Sequence, residues 1–313
     1  MKLWGIVFGL VNCLIGIGVP VAHGAEDRVM VVATTMMVGD LLREVGGNAV
    51  EVEVLMGPGV DPHLFKPNAG HVAKLKRAKG IFYNGLNLEA RLGQLLETLE
   101  KSGQPVFQVT QKIAKEKLLL LEEEGETGFD PHVWGDVALW AECVPIVVEG
   151  LSVVKPAAAV DFAKRGEALQ ERLMKVHVWA QEQGVKVPEK QRVLITSHDA
   201  FGYFGRAYGF EVVGLQGIST VSEAGLADLT KLVEYVRTRA IPAVFIETSV
   251  APAAMKRVSE DSGAEVGGEL FSDSMGVPGE LRDIETEKID VGTYEGMIKW
   301  NISTVVKALN PDA

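Results

Sequence analysis

Pro156-Ala-Ala-Ala-Val-Asp-Phe162-Ala-Lys-Arg-Gly166-Glu-Ala-Leu169-Gln-Glu-Arg-Leu173-Met-Lys-Val176-His-Val-Trp-Ala180-Gln-Glu-Gln183 decides how this chain is read. Proline suits a first helical position, and Gly184 suits the place just past a helix end. Phe162, Gly166, Leu169, Leu173, Val176 and Ala180 recur at steps of three and four, which makes one apolar or small face. At 1.5 Å per residue the helix would run roughly 40 Å, longer than most globular helices. On both sides of it the sequence alternates short strand and helix patterns. The expected fold class is α/β: two lobes, each a small, mostly parallel sheet flanked by helices, joined by one long backbone helix. The expected divisions are a leader over 1–24, an N-terminal lobe over 25–155, the linking helix over 156–184 and a C-terminal lobe over 185–313.

The leader begins Met1-Lys2, runs apolar from Leu3 to Val21 and ends Ala22-His23-Gly24. A positive start, an apolar middle and small residues at the last and third-last positions make a cleavable secretory signal, with cleavage expected after Gly24 and a periplasmic destination. The other reading is an uncleaved membrane anchor, against which Pro20 and the small-residue end argue. Cys13 follows Asn12, not the small residue a lipoprotein signal needs. Cys143 is then the one cysteine of the mature chain, which excludes an internal disulfide and cysteine-built zinc sites. The chain carries a formal charge of −11; without residues 1–24 it has 30 basic and 42 acidic residues, or −12. That argues against a nucleic-acid partner. No second apolar run is expected to span a membrane.

Outward from the long helix, strands are expected over 29–35, 51–56, 81–83 and 105–109 on one side, and over 192–197, 211–215 and 243–247 on the other, where 264–270 leads into the segment 271–276. Met56-Gly-Pro-Gly-Val-Asp-Pro-His63 is too rich in glycine and proline for a helix and reads as a rigid loop. Asn68 should cap a basic helix. Residues 110–129 are polar and acidic, a surface loop ending in a second Asp-Pro-His at 130–132. Residues 136–154 read as helical around Pro145, 222–239 as a helix capped by Ser222, 277–290 as loop, and 294–309 as a closing helix with Met297, Trp300 and Val305 on one face.

The histidines of the mature chain are His63, His71, His132, His177 and His198. His71, in a basic stretch, is expected at the surface, and His177, beside Val176, as a packing or surface residue. His63, His132 and His198 each read as following a strand and opening a loop, and ligands of open α/β sheets bind at the carboxyl ends of strands. Asp-Pro before His63 and His132 stiffens the backbone, since proline fixes its own φ and restricts its neighbour. Asp273, in Ser272-Asp273-Ser274, reads as a ligand or equally as a turn or helix cap. Asp61, Asp130 and Asp199 could orient ring N–H groups or cap loops. Trp134 could shield a site or belong to the core. Asn301-Ile-Ser303 matches a glycosylation acceptor but falls in an expected helix, so it reads as a chance match.

With these segments in place the chain resembles the zinc and manganese receptors of bacterial ABC importers. The resemblance is carried by 56–63, Tyr83-Asn-Gly-Leu86, Phe129-Asp-Pro-His-Val-Trp134, His198-Asp-Ala-Phe-Gly-Tyr-Phe204, Gly209-Phe210-Glu211, Gly214-Leu-Gln-Gly217 and Gly267-Gly-Glu-Leu-Phe-Ser-Asp273, and it covers nearly all of the chain after the leader. It implies two α/β lobes on a single long helix with one metal ion in the cleft, held by His63, His132, His198 and Asp273. It implies Zn2+ or Mn2+ as the transported ligand, one per chain, a membrane ABC permease as partner, and no catalysis. A monomer is expected. Zinc-dedicated members often carry a histidine-rich loop before the second Asp-Pro-His; residues 110–129 hold no histidine, which leaves manganese open. The competing readings are a zinc-dependent hydrolase on the same ligands and a surface adhesin. Three imidazoles and a carboxylate would fill a tetrahedral zinc, whereas a catalytic zinc keeps a position for water.

Overall fold

A computed structural model describes residues 28–121, 128–285 and 287–310, besides Met1. The expected leader with Cys13, and the acidic run 122–126, lie outside the described residues.

The first sheet is centred on Val29–Ala33 and Gly80–Tyr83, which are mostly buried, as parallel strands between helices are. β1 (Val29–Ala33) pairs in parallel with β2 (Val50–Val54) and β3 (Gly80–Tyr83), and β3 with β4 (Val106–Gln108), in the order β2-β1-β3-β4. α1 (Met36–Gly46) follows β1 directly and starts where the Thr35 hydroxyl accepts from Val38 N. α2 (Ala69–Arg77) begins in a capping box: Asn68 accepts from His71 N, and the His71 ring accepts from Asn68 N. α3 (Gly93–Lys101) leads into β4.

Residues 137–154 are apolar enough, over 18 residues, to cross a membrane by composition, contrary to the expectation of no second such run. They form two core helices instead, α4 (Val137–Ala141) and α5 (Val144–Val154). Pro145 lacks the N–H a continuous helix would need and crowds the carbonyl four residues back, so the helix restarts at residue 144. The Cys143 side chain is buried at the break, and burial pushes its thiol up.

The long helix α6 (Ala159–Gly184) has 26 residues and is preceded by a 3-10 turn at Pro156–Ala158. Its buried positions are Phe162, Gly166, Leu169, Leu173, Val176, Ala180 and Gly184, the face expected from spacing extended by one. Gly166 permits the close approach of α5: a Cβ there would stand 2.5 Å from Val148 Cγ2.

The second lobe contains parallel pairs β5 (Val193–His198) with β6 (Glu211–Gln216) and β7 (Ala243–Glu247) with β8 (Glu265–Leu270), β5 running beside β7. α7 (Gly202–Tyr208), α8 (Leu226–Thr238) and α9 (Ala253–Ser262) connect them. α8 starts at Leu226, not at Ser222, because Asp228 reaches back to accept from Gly225 N at 3.1 Å. The expected loop 277–290 contains an antiparallel pair, β9 (Leu281–Ile284) with β10 (Glu287–Asp290), which buries Ile284 and Ile289. α10 (Tyr294–Leu309) buries Met297 and Val305 while Trp300 packs half-buried at the core edge, and the helix lies along α6 and β8. α6 thus carries α1, α4 and α5 of the first lobe and α10 of the second.

Candidate metal centre

The carboxyl ends of β2, β5, β7 and β8 converge on the cleft. His63 lies in the loop after β2. Its backbone is set by Asp61, whose Oδ1 accepts from His63 N at 2.8 Å. The same turn recurs at Asp130, which accepts from His132 N at 2.9 Å. His132 follows no full strand: Leu120 and Phe129 form a single bridge, and His132 opens a 3-10 turn at Val133–Gly135. His198 is the last residue of β5, and Asp273 comes three residues after β8. Asn301 fixes the approach to Asp273. Its side-chain amide donates to Phe271 O at 2.7 Å and accepts from Phe271 N at 3.0 Å, which leaves this buried residue no role as a glycan acceptor. Gly214 lets β6 pass the site, because a Cβ there would meet Asp199 N at 2.7 Å.

The structure brings all four expected residues together. One donor atom from each of His63, His132, His198 and Asp273 lies within 4.8 Å of the others, and all four residues are buried. His63 Nε2 is 3.3 Å from His132 Nε2; Asp273 Oδ1 is 3.3 Å from His132 Nε2, and Asp273 Oδ2 is 3.2 Å from His198 Nε2. A tetrahedral ion with metal–nitrogen bonds of about 2.0–2.1 Å has ligand–ligand edges of about 3.3–3.4 Å. Both Asp273 oxygens and His198 Nε2 are buried without a hydrogen-bond partner, a state that is costly unless a cation completes it. The donor set therefore suits a divalent transition metal. His71 and His177 stand elsewhere: His71 in its capping box, His177 Nδ1 3.6 Å from Asp136.

Each of two ring nitrogens turned away from the centre meets a carboxylate. His132 Nδ1 is 2.7 Å from Asp130 Oδ1. His198 Nδ1 is 2.6 Å from Glu247 Oε2, and Glu247 Oε1 accepts from His198 N at 2.9 Å. Asp199 was read as able to orient an imidazole or cap a loop; the carboxylate on the His198 ring is instead Glu247, at the end of the neighbouring strand β7. Trp134 answers to both of its readings. It is buried with its ring centroid 5.2 Å from that of His132, and its indole N–H donates to Ser272 O beside Asp273.

The electrostatics are those of a site with charges drawn together. Burial opposes the charged form of every group. In Asp273 that effect is outweighed by His198 and His132, which hold the carboxyl well below its usual range. Burial would lower His132, but Asp130 and Asp273 raise it to about 9; Glu247 and Asp273 likewise carry His198 well above the ordinary imidazole value. His63 is lowered to about 4 by burial, an effect that Asp273 only partly opposes.

The chain matches the family described as zinc-uptake complex component A, periplasmic, over residues 31–308. It is 41% identical to the zinc-binding protein TroA of Treponema pallidum, covering 91% of this chain and 90% of that one, and 40% identical to the manganese-binding lipoprotein MntA of Bacillus subtilis, covering 91% of each. The solved structure of periplasmic TroA superposes with a TM-score of 0.82 over 90% of this chain and 99% of TroA. With its two lobes, its long helix and its three-histidine, one-aspartate cluster, this chain belongs to the family of periplasmic zinc-uptake component A proteins.

Proposed function

We propose that this protein is the extracytoplasmic receptor of a metal importer. It captures one zinc or manganese ion between its lobes, on His63, His132, His198 and Asp273, and delivers it to a membrane ABC permease. The observation that carries the reading is the convergence of four buried donors from two sides of the chain, with ligand–ligand distances suited to a metal ion. The names of the relatives support both metals, zinc for TroA and manganese for MntA. In this reading residues 1–24 are removed on export to the periplasm, residues 25–155 and 185–313 are the lobes and 156–184 their strut, and the protein acts as a monomer. It is a carrier and not an enzyme, because four protein donors leave a tetrahedral ion no position for a reacting water.

The test is the metal content of protein purified from its native compartment, with variants measured beside it. One metal ion per chain is expected, lost in His132→Ala and His198→Ala and kept in His71→Ala and His177→Ala. Two ions per chain, or metal loss in either of the last two variants, would refute the ligand set.

A further inference from the structure

Residues 62–88 contain no aspartate or glutamate, in a chain that has 42 acidic residues and a formal charge of −11. The same stretch holds Lys66, Lys74, Lys76, Arg77 and Lys79. α2 gathers these cations at the surface. Of its nine residues only Leu75 is buried, so the helix lies on the lobe and is not sunk into it. Ala69, Gly70, Ala73, Lys76 and Arg77, three and four apart, form its exposed face, and Lys66 and Lys79 stand exposed just beyond its ends. Lys74, on the flank, is paired with Glu53 at 2.9 Å. Among the described residues Lys66, Lys76, Arg77 and Lys79 have no ion-pair partner. By contrast Arg172, Arg257 and Lys299, on later helices, each have a carboxylate partner. The patch begins beside the cleft: the ring of Phe65, two residues after His63, has its centroid 5.0 Å from that of His71 on α2.

We infer that α2 is a membrane-facing surface, whose unpaired cations adsorb the protein weakly and reversibly onto anionic phospholipid headgroups and so keep the cleft beside the bilayer. The inference rests on the reading of this protein as the extracytoplasmic receptor of a membrane importer. Charge complementarity selects the occupant. At physiological salt the Debye length is about 8 Å, so a patch in contact with a bilayer acts on it while acidic groups on the far side are screened. The net negative charge of the chain disfavours its other faces, so adsorption also orients the molecule. A protein partner fits this surface less well. The cores of protein interfaces are poor in lysine and rich in arginine and aromatic anchors, whereas Lys66, Lys76 and Lys79 dominate here and Ala69, Gly70 and Ala73 offer no anchor. Flexible ammonium groups suit a fluid layer of phosphates, which asks for charge and not for a fixed fork of donors.

The test is co-sedimentation of the full mature chain with vesicles of equal parts phosphatidylcholine and phosphatidylglycerol, beside vesicles of phosphatidylcholine alone. Binding is expected to the anionic vesicles only, and is expected to vanish at about 1 M salt, where the Debye length is about 3 Å. Lys66→Gln, Lys76→Gln, Arg77→Gln and Lys79→Gln should each weaken it about fivefold, the worth of one cation at an anionic surface, and the four together should abolish it. Lys164→Gln and Lys175→Gln, which remove exposed cations from α6, should leave it unchanged. No binding to the anionic vesicles at low salt overturns the inference, and so does equal binding to phosphatidylcholine. Equal weakening by the α6 substitutions overturns it too, since overall charge and not this face would then govern adsorption. Tighter binding to polyglutamate than to the anionic vesicles would assign the patch to an acidic protein surface and overturn it as well. Zinc content keeps the two readings apart. If the wild type holds no zinc, the receptor reading falls and takes the membrane surface with it. If the wild type and the fourfold variant each hold one zinc ion but the wild type ignores the anionic vesicles, only the membrane surface is lost.

Discussion

Glu247 and His198 meet at 2.6 Å although 49 residues separate them, because β7 runs beside β5 and ends level with it. A carboxylate behind a metal-facing imidazole fixes which nitrogen carries the proton and raises the basicity of the other. Glu247→Ala is expected to weaken zinc binding by about 10–100-fold, the range found for such partners, and Glu247→Gln by less. Chelator competition measures this, and unchanged affinity in Glu247→Ala would deny the residue its role.

Metal uptake should release protons. At pH 7.5 the metal-free site holds His132, raised to about 9, and His198, also raised well above the ordinary imidazole value, as imidazolium, while His63, lowered to about 4, is already neutral. Binding must remove the protons from the first two rings, so about two should be released per ion. Apparent affinity should keep rising from pH 6 to about 9 instead of levelling near the ordinary histidine value of ~6.5. Calorimetry in buffers of different ionisation enthalpy counts the protons; none released, or affinity flat above pH 7, contradicts the expectation.

The same shifts fix a sign for stability without metal. His132 has a folded value above its unfolded one, so its contribution is complete below about 6.5 and is lost as pH rises through about 9. The melting temperature of the metal-free protein should therefore fall over that interval, while saturating zinc, which replaces the proton, should flatten the fall. A ligand that binds only the native state adds RT ln(1 + [L]/Kd), about 4 kcal/mol at a thousandfold excess over Kd. A metal-free melting temperature that climbs from pH 6.5 to 9 would reverse this assignment.

Asp40 gives a second test of the same sign, where α1 meets α6 and α10. Burial, and then Glu44, raise its carboxyl to about 7, although it accepts from Tyr294 N at 3.3 Å. The folded state thus binds a proton that the unfolded state has already lost, and stability falls as pH rises from about 4 to about 7. Asp40→Asn, which keeps an acceptor for Tyr294 N, should raise the melting temperature at pH 8 and change it little at pH 4. Equal effects at both values would mean that charge is not the cause.

Asp273 should separate the two metals. Zinc can keep three imidazoles without it, whereas manganese favours oxygen donors, so Asp273→Ala is expected to reduce manganese affinity by a larger factor than zinc affinity. Parallel titrations of the two ions decide the matter, and equal losses would count against it.

The strut was legible because its spacing repeats over about five turns and every spaced position is buried in the fold. The four residues that converge in the cleft were legible because Asp-Pro-His and a strand-end His-Asp are local patterns, although Asp273 needed the family resemblance. Glu247 was not: nothing in Ala-Val-Phe-Ile-Glu marks its last residue, and only the adjacency of β5 and β7 gives it a partner. The pair β9–β10 escaped for another reason. Its strands of four residues alternate too briefly to stand out from polar loop, and their burial depends on the rest of the lobe. The Asp61–Thr220 bond joins residues 159 apart, and no local pattern in the sequence announces it.

The hydroxyl of Tyr294 donates to Trp134 O at 2.7 Å, and Trp134 in turn donates to Ser272 O, so the last helix is stitched into the first lobe beside the site. Chains are made amino end first, and their early segments begin to fold before later ones exist. Here the early segments contribute His63 and His132, but Asp273 and the helix that buttresses its neighbourhood arrive only within the final forty or so residues of 313. On the proposed ligand set, a nascent chain would be a poor chelator until synthesis is nearly finished. Any machinery that intercepted the polypeptide before α10 had docked would handle a chain without its proposed grip on metal.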